Sequence, residues 1–343
     1  MNISVNASIY HQPLREVQPG TRLDTLLCEE ARAPFDRLWW WQALERHCGL
    51  SGTLHGARSE AGEALLALHE AAPGHLVALA NWYTFRFRPI MRGDPKLLVP
   101  LAKALPPLTR RITLDKVPDE DGSARALAQA FRAAGWWVFC EPCDTNHALE
   151  VRGRDFATYH ATLPGPLHTT LKRKSGKVHT KILTYFDAEA WAQYEAIYAQ
   201  SWKGEEGAPA FLRAFAEAEG AAGRLRLGLA HDAANPTGPA IAAQMWSVEG
   251  NTAFIHKLAH RESARALSPG SVLTAALFRH ALDTDKVALV DFGTGDDAYK
   301  RDWMNAVRPR YRIEALRPGA LANLPHLVRR VAARHLAARF KRG

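Results

Sequence analysis

Five stretches of the chain set reactive side chains at spacings that can do chemistry. The first runs Asp291-Phe-Gly293-Thr-Gly295-Asp-Asp-Ala-Tyr299-Lys300, from an apolar strand pattern through a glycine-bent loop into a helix start. A phenol that can donate a proton then stands beside an ammonium that can steady an oxyanion. The plainer reading is that Asp291, Asp296 and Asp297 cap and neutralise the helix start next to Lys300 and Arg301, which explains Tyr299 less well. The second is the strand pattern TAFIHKLAH, whose His256 and His260 lie two alternations apart and so on one face. Either imidazole can take the proton of an incoming amine, or both are polar strand residues bonded to neighbours. The third, Arg265-Ala-Leu-Ser268-Pro-Gly270-Ser271, lies between that strand and a helix. A helix start offers unpaired N–H groups and partial positive charge to a diphosphate; Gly270 permits close approach, the serine hydroxyls add donors, and Arg265 can pair with a phosphate. Alone, Ser-Pro-Gly is also a plain N-cap.

The fourth stretch is of mixed charge and the fifth is cationic. SWKGEE contains Trp202, Lys203, Glu205 and Glu206, and LKRKSGKV contains Lys172, Arg173 and Lys174. Trp202 and Lys203 read as substrate-binding residues and either glutamate as a base, or the whole as a solvated charged turn. Lys172 and Arg173 suit a substrate phosphate, or simply face solvent.

The elements that must carry these groups alternate between helix and strand. PFDRLWWWQALERHC reads as a helix opened by Pro34 and closed by Gly49, with Trp39, Trp40 and Trp41 as packing aromatics. EALLALHE and HLVALANWYTFRF read as strands, as do RRITLDKV, WWVFCEP and HALEVRG, with a helix from Ser123 to a stop at Gly135. The later half reads strand, two helices, three antiparallel strands, helix, strand, helix, strand. Glu249-Gly250-Asn251 marks a hairpin between two of those strands. The chain ends in an amphipathic stripe, Leu324, Leu327, Val331, Leu336 and Phe340 against many arginines. That stripe packs on its own sheet or lies on an anionic membrane.

Composition narrows the classes. The 343 residues are 47% hydrophobic and 23% charged, which excludes a largely disordered chain, and the apolar runs are too short to span a bilayer. No secretory pattern opens the sequence and four cysteines cannot staple a chain this long, so a reducing cytoplasm is expected. Lys plus Arg is 44 against 35 acids, a net +9 that favours an anionic partner. Cys140-Glu-Pro-Cys143 lacks the second pair a zinc site wants and reads as a turn; no metal is expected. There is no HExxH, P-loop, GxGxxG or GxSxG pattern.

The order and motifs of residues 155–316 resemble the GNAT acyltransferase superfamily, in its cellulose-biosynthesis-type subfamily, which is related to the Fem-type aminoacyl transferases. The likeness rests on TLKRKSGKV, SWKGEE, AAQMWSVEGNTAFIHKLAH, SPGSVL and DFGTGDDAYKRDW, with PFDRLWWW and LANWYTFRFRP before them. It implies an α/β (α+β) fold of tandem GNAT-like lobes, each a mixed, mostly antiparallel sheet flanked by helices: a degenerate lobe over 1–160 and a catalytic lobe over 161–343. The donor implied is acetyl-CoA or another acyl-CoA. Its diphosphate would lie at the 265–271 turn, where Ser268 and Pro269 depart from the family's glycine-rich pattern. Its pantetheine arm would enter a gap between splayed strands, against the main chain of Lys257, Leu258 and Ala259. Tyr299 would protonate the leaving thiolate, and Lys300 would contact an anionic group. The acceptor implied is a small amine, phosphorylated or sugar-linked, in exopolysaccharide or envelope metabolism; no DNA is expected. The Fem-type kinship keeps aminoacyl-tRNA open as the donor, and a non-catalytic binding module is a third reading.

Overall fold

The computed structural model describes residues 6–201, 203, 205–328 and 330. Trp202 and the tail beyond 330 lie outside the described residues. In chain order the elements are β1 (Ser8–Pro13), α1 (Arg22–Glu30), α2 (Leu38–Cys48), β2 (Gly52–Ser59), β3 (Gly62–Ala72), β4 (His75–Ala78), β5 (Ile90–Gly93), α3 (Leu98–Ala104), β6 (Arg111–Pro118), α4 (Ser123–Ala133) and β7 (Trp137–Glu150). Then come α5 (Phe156–His160), α6 (Gly165–Lys174), β8 (Val178–Leu183), α7 (Ala188–Ala199), α8 (Pro209–Ala221), β9 (Leu225–Asp232), β10 (Ala242–Glu249), β11 (Thr252–His260), α9 (Pro269–Arg279), β12 (Leu289–Thr294), α10 (Ala298–Arg301) and β13 (Ala306–Leu316).

These elements form two compact units that interleave along the chain. One holds residues 1–31, 50–143 and 309–343, the other 32–49 and 144–308. The first unit has strand order β1-β2-β3-β4-β6-β13, with β5 on β3. Helices α3 and α4 cover a core that includes Leu66, Leu101, Leu114 and Phe131. The second has order β7-β12-β11-β10-β9-β8, antiparallel except for the parallel pair β11 and β12. Each unit is thus a mixed, mostly antiparallel sheet flanked by helices, the fold class expected.

Three local readings change. The stretch 79–89 is a loop rather than a strand, because the Tyr83 amide donates to Asn81 Oδ1 and the Asn81 amide to Thr84 Oγ1, side-chain bonds that replace a ladder. Residues 137–150 form one strand, so Cys140 and Cys143 sit inside β7 and mark no turn. β1 and β2, unread in the sequence, pair over six residues.

In the second unit α2 belongs with elements far along the chain, through aromatic packing and an ion cluster. The Trp40 ring meets Phe211 and Phe215 edge-on, with centroids 4.9 and 5.0 Å apart, and Phe35 meets Phe254 at 5.8 Å. Beside them Glu219, 1% exposed, accepts from Arg37 (2.9 Å) and Arg224 (2.8 Å). A carboxylate so buried is tolerable because it is doubly paired. Across the sheet, α9 lies on β8, β9 and β10 through Leu273, Leu277 and Phe278, all fully buried. It lies close because Gly228 of β9 has no side chain: a Cβ there would stand 2.9 Å from Leu277 and 3.0 Å from Leu273. Gly228→Val therefore overpacks the seat of α9, and a loss of about 1–3 kcal/mol in urea unfolding is the expected outcome. Leu273→Ala leaves a void in the same seat and should cost about 2–5 kcal/mol.

Candidate active site

Strands β11 and β12 pair in parallel at three positions, Thr252 to Leu289, Ala253 to Val290 and Phe254 to Asp291, and then part. β11 continues six residues further on β10 alone, so the main chain of Lys257, Leu258 and Ala259 has no partner strand on the β12 side. That is the gap the resemblance predicts. At its mouth stands the start of α9. Pro269 lacks an N–H, and Gly270 and Ser271 occupy the first turn, where amides have no acceptor four residues back. Ser268 adopts a left-handed conformation (φ 51°) and caps nothing with its side chain. Gln244 Nε2 donates to the Gly270 carbonyl (3.1 Å) and to Thr274 Oγ1 (2.7 Å), tying the turn to β10. A Cβ at 270 would lie 3.6 Å from His260 Nδ1, so the turn abuts the end of β11. Arg265 is exposed beside it. Residues of this kind fit a diphosphate.

A bulge in β11 decides which side chains share the site. Met245 pairs with Lys257 but Trp246 with Ile255, leaving His256 as an extra residue. The extra residue reverses the alternation beyond it. His256 and His260 therefore point to opposite faces, contrary to the period-two expectation. His256 packs among Phe35, Phe215 and Phe254, and its Nε2 lies 2.7 Å from Ser247 Oγ. Burial first, and the Lys257 charge second, push it down to about 3. Such an imidazole is too weak a base to serve an amine. His260 faces α9 instead, and burial lowers it while Glu262 opposes the shift.

The same bulge turns Lys257 toward α7. Its ammonium lies 2.7 Å from Glu206 Oε1 and 5.1 Å from the centroid of the Tyr198 ring. Tyr198, missed in the sequence, carried no signal beyond an aromatic stripe on a helix. Glu206 also closes one side of a cavity of about 590 Å³ between α7 and α8, with Trp191, Tyr194, Glu195 and Glu205 on its walls. Lys203 stands at the junction. Partial desolvation of its ammonium, on a side chain that remains exposed, with Lys257 and Lys300 beside it, brings it down to about 8, against Asp297 and Glu206, which hold it up. Its charge also adds to the lowering of His260.

That loop is braced from behind. Asp291, 4% exposed, accepts through Oδ1 from Asn146 Nδ2 (2.6 Å) and from the Gly293 amide (2.8 Å). Asn146 also donates to the Gly293 carbonyl (3.0 Å). His147 Nε2 is 2.9 Å from Asp296 Oδ1, which pairs in turn with Arg301. Asp291 is thus an anchor rather than a reacting group. Lys300 is buried, donates to the carbonyls of Thr294 and Gly295, and faces Asp297 at 3.4 Å. Two carbonyls accept from the ammonium and the Asp297 charge stands beside it, so Lys300 clamps the loop rather than standing ready for the expected oxyanion contact. The part of Asp296 and Asp297 is the plainer one, neutralising the helix start. Tyr299 rides on this clamp with 41% of its surface exposed, its ring edge-on to Phe292 at 5.6 Å. Burial, then Asp297, raises its phenol to about 12. Lys172 and Arg173 are not part of this assembly: both lie on α6, and Lys172 borders a different cavity on the flank of α9. Among the described residues no three His, Cys, Asp or Glu side chains gather as metal ligands do, and no helix is long and apolar enough to cross a membrane.

Comparison with known proteins bears on the fold. No curated protein is similar enough to match the sequence. Among solved structures the chain is similar to FemX (TM-score 0.64, 11% identity, covering 92% of this chain and 99% of that one). It is also similar to L-PGS from Bacillus licheniformis (0.57, 11%, 90% and 95%). A third likeness is to a tandem GNAT protein from the clavulanic acid biosynthesis pathway (0.51, 15%, 91% and 100%). Residues 173–301 match the family model of the acetyltransferase (GNAT) domain. That matched stretch holds the parted strands, the α9 turn and the Tyr299 loop.

Proposed function

We propose that the protein is an acyl-CoA-dependent N-acyltransferase in which an amine attacks the donor thioester directly. The observation that carries this reading is the parting of β11 and β12 with the first turn of α9 beside it. A diphosphate held by the Gly270 and Ser271 amides, with Arg265 and Lys203 nearby, directs a pantetheine arm along the open edge of β11. The acceptor enters as the free amine through the cavity between α7 and α8, where the Glu206 carboxylate is placed to accept a hydrogen bond from its N–H. The amine nitrogen then adds to the thioester carbonyl carbon, the C–S bond breaks, and the thiolate leaves. A phenol near 12 is a weaker acid than an alkyl thiol near about 8.5. Tyr299 therefore supplies a hydrogen bond to the departing sulfur, and the amine's own proton balances the products. The acceptor is a small amine, and a sugar-linked amine of envelope metabolism is the form the subfamily resemblance favours.

The fold similarity to FemX favours one second reading, with aminoacyl-tRNA as donor. It predicts transfer from charged tRNA and binding that falls steeply with salt.

Thermal-shift measurement with a panel of acyl-CoAs tests the donor. Stabilisation by acetyl-CoA that disappears in Gly270→Glu supports the reading; silence toward every thioester overturns it. In thiol-release assays at saturating acetyl-CoA, Tyr299→Phe should lower kcat roughly 10- to 100-fold while leaving the melting temperature unchanged. Full turnover in that variant refutes the phenol's part. The lowered Lys203 sets a pH signature. Its charge is present below about 8 and lost above it, so acetyl-CoA affinity should weaken as pH rises from 7 to 9.5. About fivefold is expected for one partly exposed charge, and Lys203→Met should be flat with pH.

A further inference from the structure

A second cavity, of about 500 Å³, lies on the outer flank of α9, enclosed by α5, α6, α9 and β8. It takes no part in the transfer described above. Its floor is apolar: Leu171, Val178, Val272, Ala275 and Ala276. Its rim is cationic, with Lys172 on α6 and Arg279 at the end of α9. The His160 and His168 rings stand together with centroids 4.7 Å apart, and the Arg279 guanidinium lies 4.8 Å over the Phe156 ring. No Asp or Glu lines the cavity. Among the described residues neither Lys172 nor Arg279 has a carboxylate within 4 Å, whereas Arg37, Arg224, Arg226 and Arg301 of the same unit are each ion-paired. Asp283, on the turn after α9, accepts from the Phe156 amide instead. Two unpaired cations and two imidazoles around an apolar floor form a site with one charge missing. The volume is far larger than a bare phosphate needs and falls in the range of small-molecule pockets.

We propose that this cavity binds an organic phosphate of mononucleotide size, its phosphate on Lys172 and Arg279 and its flat ring among Phe156, His160 and the apolar floor. Bidentate pairing by Arg279 and a point charge from Lys172 suit a phosphate monoester. Ser175 and Thr180 on the wall add hydroxyl donors. The site is separate from the α9 first turn, so it neither requires nor excludes the donor proposed above.

Titration calorimetry on the full chain tests it with AMP as the probe, alongside adenosine and ribose 5-phosphate. AMP should bind, and each fragment at least about tenfold more weakly. Lys172→Glu combined with Arg279→Glu should weaken AMP by at least about tenfold while keeping the parent's far-UV circular dichroism, since both side chains are exposed. Ala276→Phe, which fills the floor without changing charge, should weaken it as well. AMP affinity should be unchanged by saturating coenzyme A. The proposal falls if AMP gives no heat across the millimolar range, or if the charge-reversed variant binds it equally. It also falls if ribose 5-phosphate binds as well as AMP, or if coenzyme A displaces it. Any of these results leaves the thermal-shift test of the donor untouched.

Discussion

Strands β11 and β12 stay together for three residues, where Ala253, Phe254 and Val290 are buried in the ladder between them. Beyond Phe254 and Asp291 each strand is claimed by its other neighbour. β11 follows β10 through the bulge at His256, and β12 follows β7 until the ladder itself becomes irregular between Asp291 and Thr294. A backbone edge left unpaired inside a folded unit has a cost unless something answers its N–H and C=O groups. The functional reading turns on this point: the gap is where an extended thioester arm can complete the sheet. The turn at Gly270 and the loop ending at Tyr299 flank it because each follows one of the two parting strands.

The two flanks are held by different physics. The α9 turn is seated by packing: Leu273 and Leu277 settle onto Gly228, and Gln244 ties the Gly270 carbonyl to β10. The Tyr299 loop buries few apolar groups and is held by polar bonds from β7, with Asn146 on Asp291 and Gly293, His147 on Asp296, and Lys300 on two carbonyls. Its glycines at 293 and 295 have φ of 70° and 94°, conformations that a side chain resists. A loop built this way is defined in position by those polar bonds, while Tyr299 stays exposed. That combination suits a group that must meet a ligand entering between the strands.

Local signals carried much of this in the sequence. Pro269 opening α9, Gly250 turning β10 into β11 and the acids before α10 all act within a few residues, and each is found where their chemistry puts it. What the sequence hid depends on partners far away. The bulge exists because Trp246 of β10 faces Ile255, and no pattern inside TAFIHKLAH reports it; His256 and His260 therefore read as neighbours on one face when they are not. Asn146 and His147 look like ordinary strand residues until β12 is laid beside them, 145 and 149 positions on. Lys300 looks free in a linear reading, and its two carbonyl acceptors and its Asp297 partner emerge once the loop closes on itself. Lys172 reads as an acceptor contact because the sequence does not say which side of α9 its helix occupies.

The distribution of charge supports treating the two ends of α9 as independent. In the second unit most cations near the parted strands are neutralised locally: Lys257 by Glu206, Lys300 by Asp297, Arg301 by Asp296. The excess that gives the chain its +9 therefore includes cations without an acid at hand, among them Arg265 before α9 and Lys172 and Arg279 along it. α9 has 11 residues, which at about 1.5 Å each span roughly 16 Å. Charges in water at physiological ionic strength lose sight of one another over about 8 Å. Arg265 and Arg279, at opposite ends of the helix, cannot then act on one compact anion, nor does neutralising one relieve the other. The dipole adds to the asymmetry: it favours an anion at Gly270 and opposes one at Arg279. An anion at the far end must be held by side chains and by the apolar floor beneath them, as the Phe156, His160 and Arg279 cluster is built to do.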